Sequence, residues 1–307
     1  MRDLETMNWF GPEEPIGDLE IREAVGRLRA IGDETGADEL SVAMSKGSAE
    51  TYAVSDLVRR VFNRFVKTTN VCGFLPATGQ DVIVPVTSAL ANAQLRSRPL
   101  KVTLDGLHVA RYPGLGRHSI LFDFALQGQA REDLKDQVFH FNARFQADDG
   151  ETVPVHNFPL FLGVTPASNG ITFGFQTVNV SSRYDEGLLD FLDSDAFKTG
   201  LSLLSAAPLL AQISGIAAGL TRWLAGQSKN VKVQEFRQGL DFMPGRLGAG
   251  LAIGTYIVVQ IPLEYQREWA WSDWAVETNV IRLVSRHATD SVLDFNHVMF
   301  GVRPLEG

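Results

Sequence analysis

QVFHFNARFQA, residues 137–147, is the stretch whose reading decides the fold. Phe139, Phe141, Ala143 and Phe145 alternate with Val138, His140, Asn142 and Arg144. A period of two puts one set on a buried face and the other on a wetter face, as in an antiparallel strand. The same pattern recurs outward from it. Toward the N-terminus lie DVIVPV (81–86), LKVTLDGLHVARY (100–112) and HSILFDFALQG (118–128). Toward the C-terminus lie 152–164, 170–180, 230–236, 251–263, a short aromatic piece at 269–274, 279–285 and 296–302. Asp148-Asp149-Gly150-Glu151 and Ser168-Asn169-Gly170 carry hairpin-turn chemistry. Strands do not alternate with helices, which disfavours a doubly wound sheet. The expected fold is α+β and mainly β: an antiparallel β-sandwich of about nine to ten strands, with N-terminal helices and one long inserted apolar helix.

The inserted helix is read from Thr199 to Thr221, which carries no charge and is bounded by Lys198 and Arg222. Its length suits a membrane span. Pro208, Gln212 and three serines dilute its apolar character, however, and two unlike stripes run along it. Leu209, Ile213, Ile216, Leu220 and Trp223 form the large one; Ala207, Ala211, Gly215 and Gly219 form the small one. Small residues at this spacing let two backbones approach closely. The segment therefore reads as a core helix, with the small stripe as its packing face.

The expected division is an acidic arm with two helices over 1–70, then a sandwich over 71–307 with a helical insertion at 185–226. The first helix is expected from Asp18, with Ile21, Val25, Leu28 and Ile31 on one face and Gly32 ending it. Residues 32–50 read as a loop. Ser55 can cap a second helix to Lys67, with Arg59, Arg60, Arg64 and Lys67 mostly opposite its apolar face. Such a basic amphipathic helix suits an acidic partner or a membrane surface, although any surface helix is amphipathic.

The net charge is −8, from 28 basic and 36 acidic residues. Residues 1–40 hold eleven acids and four arginines, so the excess belongs to the arm and the body is nearly neutral. No field of positive charge is available for non-specific nucleic-acid binding. The single Cys72 allows no disulfide within the chain, and the acidic N-terminus is unlike a signal peptide. Both point to the cytoplasm.

Candidate chemistry is sparse. No Gly-x-Ser-x-Gly elbow is present. No two of the six histidines have metal-ligand spacing. His118, His140 and His156 fall in successive strands and are the transition-metal candidates, with Asp148 and Asp149 in a nearby turn as further donors. The acids at 148–151 and 185–195 suit Ca²⁺ only in number, because no D-x-D-x-D-G loop occurs. The expectation is therefore no cofactor. The glycine run 245–250 precedes a strand, where a phosphate loop precedes a helix. Trp269, Trp271 and Trp274 are the densest aromatic cluster and, with the basic helix, the candidate partner-binding residues. The expected function is a non-enzymatic binding or assembly module acting through protein–protein contacts or self-association. The alternatives are a membrane-acting effector whose acidic arm masks the basic helix, and a metal-dependent enzyme on the sandwich.

Overall fold

The computed structural model describes residues 9–45, 67–79, 81–96, 98–128, 137–181, 229–288 and 291–305. The basic helix of 55–66 and the apolar helix of 199–221, with Ala207, Ala211, Gly215 and Gly219, lie outside the described residues. So do Arg59, Arg60 and Arg64. Among the described residues no helix is long and apolar enough to cross a membrane.

The described chain is mainly β. Two helices, α1 (Ile21–Ala30) and α2 (Glu34–Ser45), come first. The strands follow as β1 (Thr68–Pro76), β2 (Val84–Pro85), β3 (Leu100–Val109), β4 (His118–Gly128), β5 (Gln137–Ala147), β6 (Glu151–Val153) and β7 (Phe158–Val164). Then come β8 (Gly170–Val180), β9 (Asn230–Asp241), β10 (Ala249–Gly250), β11 (Gly254–Pro262), β12 (Trp274–Glu277), β13 (Arg282–Ser285) and β14 (His297–Pro304). The larger sheet runs β2-β1-β11-β14-β3-β6, with β7 also on β3. The smaller runs β10-β9-β8-β4-β5, and β12 and β13 form a separate ribbon. Apart from the short parallel β9–β10 pair, all pairings are antiparallel.

One core joins the two sheets. Phe122, Phe124, Phe173 and Phe175 of the smaller sheet share a cluster with Leu104, Tyr256, Val258 and Phe300 of the larger. Phe300 lies 4.3 Å from Phe173, 5.5 Å from Phe124 and 5.4 Å from Tyr256, ring centre to ring centre. In 137–147 the structure follows the alternation: Phe139, Phe141, Ala143 and Phe145 face this core.

Several expectations need correction. Residues 34–45, read as loop, form α2. Gly32 does end α1, at φ +83, but Asp33 immediately caps a new helix, accepting the Gly36 N–H at 2.9 Å. Ala37 and Leu40 then bury against Ala24, Leu28 and Val231. Asp18 caps no helix; it ends a 3-10 turn, and α1 starts after Glu20. Of 81–86 only Val84–Pro85 is a strand, since proline withholds a ladder donor. The expected strand 152–164 breaks at 154–157 into β6 and β7, with Asn157 at φ +52. At 269–274 the chain makes a 3-10 turn over Trp271–Asp273, and β12 begins at Trp274. Most consequential, the turns at 148–151 and 168–170 are not hairpins. Each carries the chain from one sheet to the other: β5 pairs with β4 but β6 with β3, and β7 pairs with β3 but β8 with β4. Turn chemistry specifies a reversal, and the sheet that the next strand joins depends on which face it buries.

β8 and β9 are direct neighbours, and Val180 pairs with Asn230. The whole of 181–229 therefore leaves and re-enters the smaller sheet at one place. Trp9 and Phe10, just after the acidic start of the chain, bury against that sheet's outer face. The Phe10 ring is edge-on to His140 at 5.9 Å, and Trp9 sits under the Arg237 guanidinium at 4.2 Å.

Truncating the ring at the centre of the core should be costly. Phe300→Ala is expected to lower stability by about 3–5 kcal/mol, read from urea denaturation. A loss below about 1 kcal/mol would show that this contact does not join the sheets.

Candidate functional site

The site begins with a phase slip in β3. Leu100, Val102 and Leu104 face the core, and so do Leu107 and Val109. Strict alternation from Leu104 would turn His108 inward. Pairing with β14 instead shifts between Met299 and Phe300, so that Gly106 opposes Met299 and Leu104 opposes Phe300. Asp105 is the extra residue of a β-bulge. Its carboxylate accepts the Thr103 hydroxyl at 2.7 Å and the Thr255 hydroxyl at 3.1 Å, which pins the bulge. His108 is thereby turned to the outer face of the larger sheet.

A cross-strand row results: His297 pairs with His108, and His108 with Thr152. The two imidazoles stack at 4.7 Å with 22° between planes. His108 Nδ1 lies 2.9 Å from Thr152 Oγ1, and His297 Nδ1–H donates to the Phe295 carbonyl at 2.9 Å. His297 Nε2 is buried without a partner among the described residues. Burial holds both rings neutral. His108 is lowered to about 4, with Asp294 opposing and Arg282 reinforcing the shift. His297 is lowered to about 3 by burial and by its neighbour His108.

The ribbon β12–β13 lies over this outer face. Trp271 and Leu283 pack with Ile257, Val259, Ile261 and Met299, and Trp269 and Trp274 adjoin them. Trp269 and Trp274 stack at 5.7 Å, and Trp269 meets Trp271 edge-on at 5.3 Å. The three tryptophans thus form the second core that holds the ribbon down, with Trp271 buried and the other two half-buried. Glu277 and Arg282 bridge the ribbon at 2.7 Å. Its turn closes on β3, where a Cβ on Gly106 would stand 2.9 Å from the Ile281 side chain. Ile281 holds φ +47, a costly value for a β-branched residue.

Between ribbon and sheet edge lies a cavity of about 630 Å³. His108, Glu151, Thr152, His156, Arg282 and Asp294 bring polar groups to its wall. They come from β3, β6, the β6–β7 break, β13 and the approach to β14. Such convergence on one concavity marks the default binding site of a protein. His108 stands in this wall with its Nδ1 engaged by Thr152.

Of the expected metal candidates, only His156 reaches this cavity. His118 Nε2 lies 3.0 Å from Asp149 Oδ1, and Asn179 approaches its other nitrogen at 3.3 Å. His140 Nδ1 lies 3.0 Å from the fully buried Asp123, on the outer face of the smaller sheet. The three histidines do not converge. Among the described residues no group of three or more His, Cys, Asp or Glu side chains could hold a metal ion. Asp149 also accepts the Tyr112 N–H at 3.0 Å. Burial pushes its carboxyl up, but the bonds from His118 and Tyr112 outweigh that and leave it below the usual range. Asp148 meets Arg117 at 3.7 Å on the surface. Cys72 is on β1, where burial pushes its thiol well up and away from the reactive thiolate. Lys67 is exposed, and its carbonyl accepts the Leu263 N–H.

Sequence reasoning missed His108, His297 and Arg282. The signal for His108 was present, because alternation in LKVTLDGLHV changes phase at Asp105-Gly106, and glycine inside a strand marks a bulge. Comparison with protein-family models gives no match, and neither curated proteins nor solved structures give one.

Both neutral imidazoles link stability to pH. Each takes up a proton on unfolding at any pH below its ordinary value of 6.5 and above its folded value. The unfolded chain then binds more protons, so stability falls as pH drops from about 6.5 toward 4. Asp149 acts in the same direction, but only below the ordinary carboxylate range. Urea midpoints measured from neutral pH to about 4.5 should decline, and His108→Gln with His297→Gln should flatten that decline. An unchanged slope in the double variant would contradict the assignment.

Proposed function

We propose that this chain is a β-sandwich that works by binding, as a cytoplasmic assembly or regulatory module, with the cavity beside His108 as its recognition site. The observation that supports it most is the meeting of six polar side chains from five chain segments on one cavity. His108, half of a buried imidazole pair, stands in its wall. Arg282 brings a cation already oriented by Glu277, and Glu151 and Asp294 bring carboxylates. This set suits a polar side chain or chain end of a partner protein, gripped by charge-assisted hydrogen bonds.

The metal-dependent enzyme is the weaker reading, since His118 and His140 are each committed to a separate carboxylate. The tryptophan cluster is the weaker recognition surface, because Trp271 anchors the ribbon. Trp269 and Trp274, half-buried beside it, are a rim that a partner can extend.

Native mass spectrometry of the full chain, purified gently from its own cells, tests the reading. A co-purifying partner or self-assembly is expected for the unaltered protein. His156→Ala combined with Arg282→Gln, which leave the buried His108–His297 pair in place, should weaken it by at least about tenfold at a melting temperature close to that of the unaltered protein. Assembly that is absent in both proteins, or equal in both, would sink the proposal.

A further inference from the structure

The ribbon β12–β13 is a sheet of its own, paired with neither of the larger ones. Each of its strands has four residues. Three backbone bonds fasten its flank: Arg286 N–H to the Asp273 carbonyl at 2.8 Å, Ser285 N–H to the Ser291 carbonyl at 2.8 Å, and Leu293 N–H to the Leu283 carbonyl at 2.9 Å. Its hold on the larger sheet comes from the apolar cluster around Trp271 and Leu283, which is distinct from the main core. A short element with a small core of its own opens at lower free energy than the sheet beneath it. The strain at Ile281, φ +47, is relieved when the turn lifts.

Two titratable rings lie on the face that the ribbon covers. His297 pairs with Val259, which packs with Trp271 and Leu283, and Met299, the next outward residue of β14, belongs to the same cluster. Gly106, which opposes Met299, lies against Ile281, two residues before His108. The stacked imidazoles are 3% and 1% exposed. A second proton on His297 would fall on Nε2, which is buried with no partner among the described residues. A buried charge without a partner is costly, and two imidazolium rings 4.7 Å apart repel.

The charged groups around the pair do not remove that cost. Arg282 from β13, Asp294 from the approach to β14, Glu151 from β6 and His156 from the β6–β7 break share the cavity wall with His108. Asp294 favours a proton on His108, Arg282 opposes it, and burial outweighs both. Glu151 accepts the Asp148 N–H at 2.9 Å, Glu277 of β12 is held by Arg282, and Asp105 of β3 by Thr103 and Thr255. β11 meets His297 with Val259, and β6 meets His108 with Thr152.

We propose that the ribbon is an acid-released flap: protons taken up by His108 and His297 favour the lifted ribbon, and lifting takes the wall formed by Asn279, Val280 and Arg282 away from the cavity. Rings that reach water titrate near the ordinary 6.5, against about 4 and about 3 beneath the closed ribbon. Below 6.5 the open state therefore binds more protons, and falling pH drives opening. Release of a partner by this opening rests on the cavity being the recognition site. The opening itself does not, so a measurement on the chain alone tests the flap separately from the cavity.

Hydrogen exchange of the full chain provides that measurement, read at the Ser285, Arg286 and Leu293 amides and at those of β4 and β8. At neutral pH the ribbon amides should be the less protected set. Between about pH 7.5 and about pH 5 their protection, corrected for the intrinsic exchange rate, should fall about 30-fold for each imidazole that reaches water, and roughly several hundredfold for both. His108→Gln should reduce the fall to about 30-fold, and His108→Gln with His297→Gln should abolish it. The single variant suffices where the double variant does not fold. Ribbon amides as well protected as those of β4 and β8 would mean that the ribbon opens only with the whole molecule, and would overturn the inference. So would protection that does not change with pH, or an undiminished fall in His108→Gln.

Discussion

Everything in this molecule hangs from the aromatic contact between two sheets. Phe300 and Tyr256 from the larger sheet meet Phe124 and Phe173 from the smaller at ring separations of 4.3 to 6.3 Å. Offset and tilted rings at such distances gain contact energy beyond their buried area. They also set the phase of four strands. Once these side chains point inward, the residues between them must point out, and the outer faces inherit whatever the sequence places there.

The two outer faces are then dressed differently. On the larger sheet the ribbon and its tryptophans build a second apolar layer, broken at one edge by the cavity. On the smaller sheet the outward positions are polar yet buried: Asp123, His140, Asn142 and Gln176 are all nearly inaccessible. Buried polar groups demand partners, and Asp123 meets His140 Nδ1 at 3.0 Å, whereas Gln176 Oε1 has none among the described residues. Burial of this kind stabilises less than apolar packing but fixes register, since a one-residue slip would drive carboxylates into phenylalanine.

Legibility from sequence followed the physics of each element. Alternation at 137–147 is a local property, and it identified the inward phenylalanines directly. The existence of antiparallel strands was legible for the same reason. Sheet membership was not, because Asp148–Gly150 and Ser168–Gly170 specify a reversal and nothing about the strand that receives the chain. α2 was hidden because Asp33 and Gly36 look like loop residues, whereas one of them caps the helix and the other lies within it. The cavity was least legible of all. Its wall comes from segments between residues 108 and 294, and His108 faces it only through a single-residue bulge. Histidines chosen for lying in successive strands were parted by that same sheet geometry.

The neck at Val180 and Asn230 has a consequence of a different kind. The two residues are partners on one rung of the β8–β9 ladder, so the chain between them starts and ends at neighbouring backbone positions. Closing a longer loop between fixed neighbours costs entropy only logarithmically in its length. Closure entropy alone therefore sets little limit on how much chain this rung can carry, and the β8–β9 register does not depend on that length.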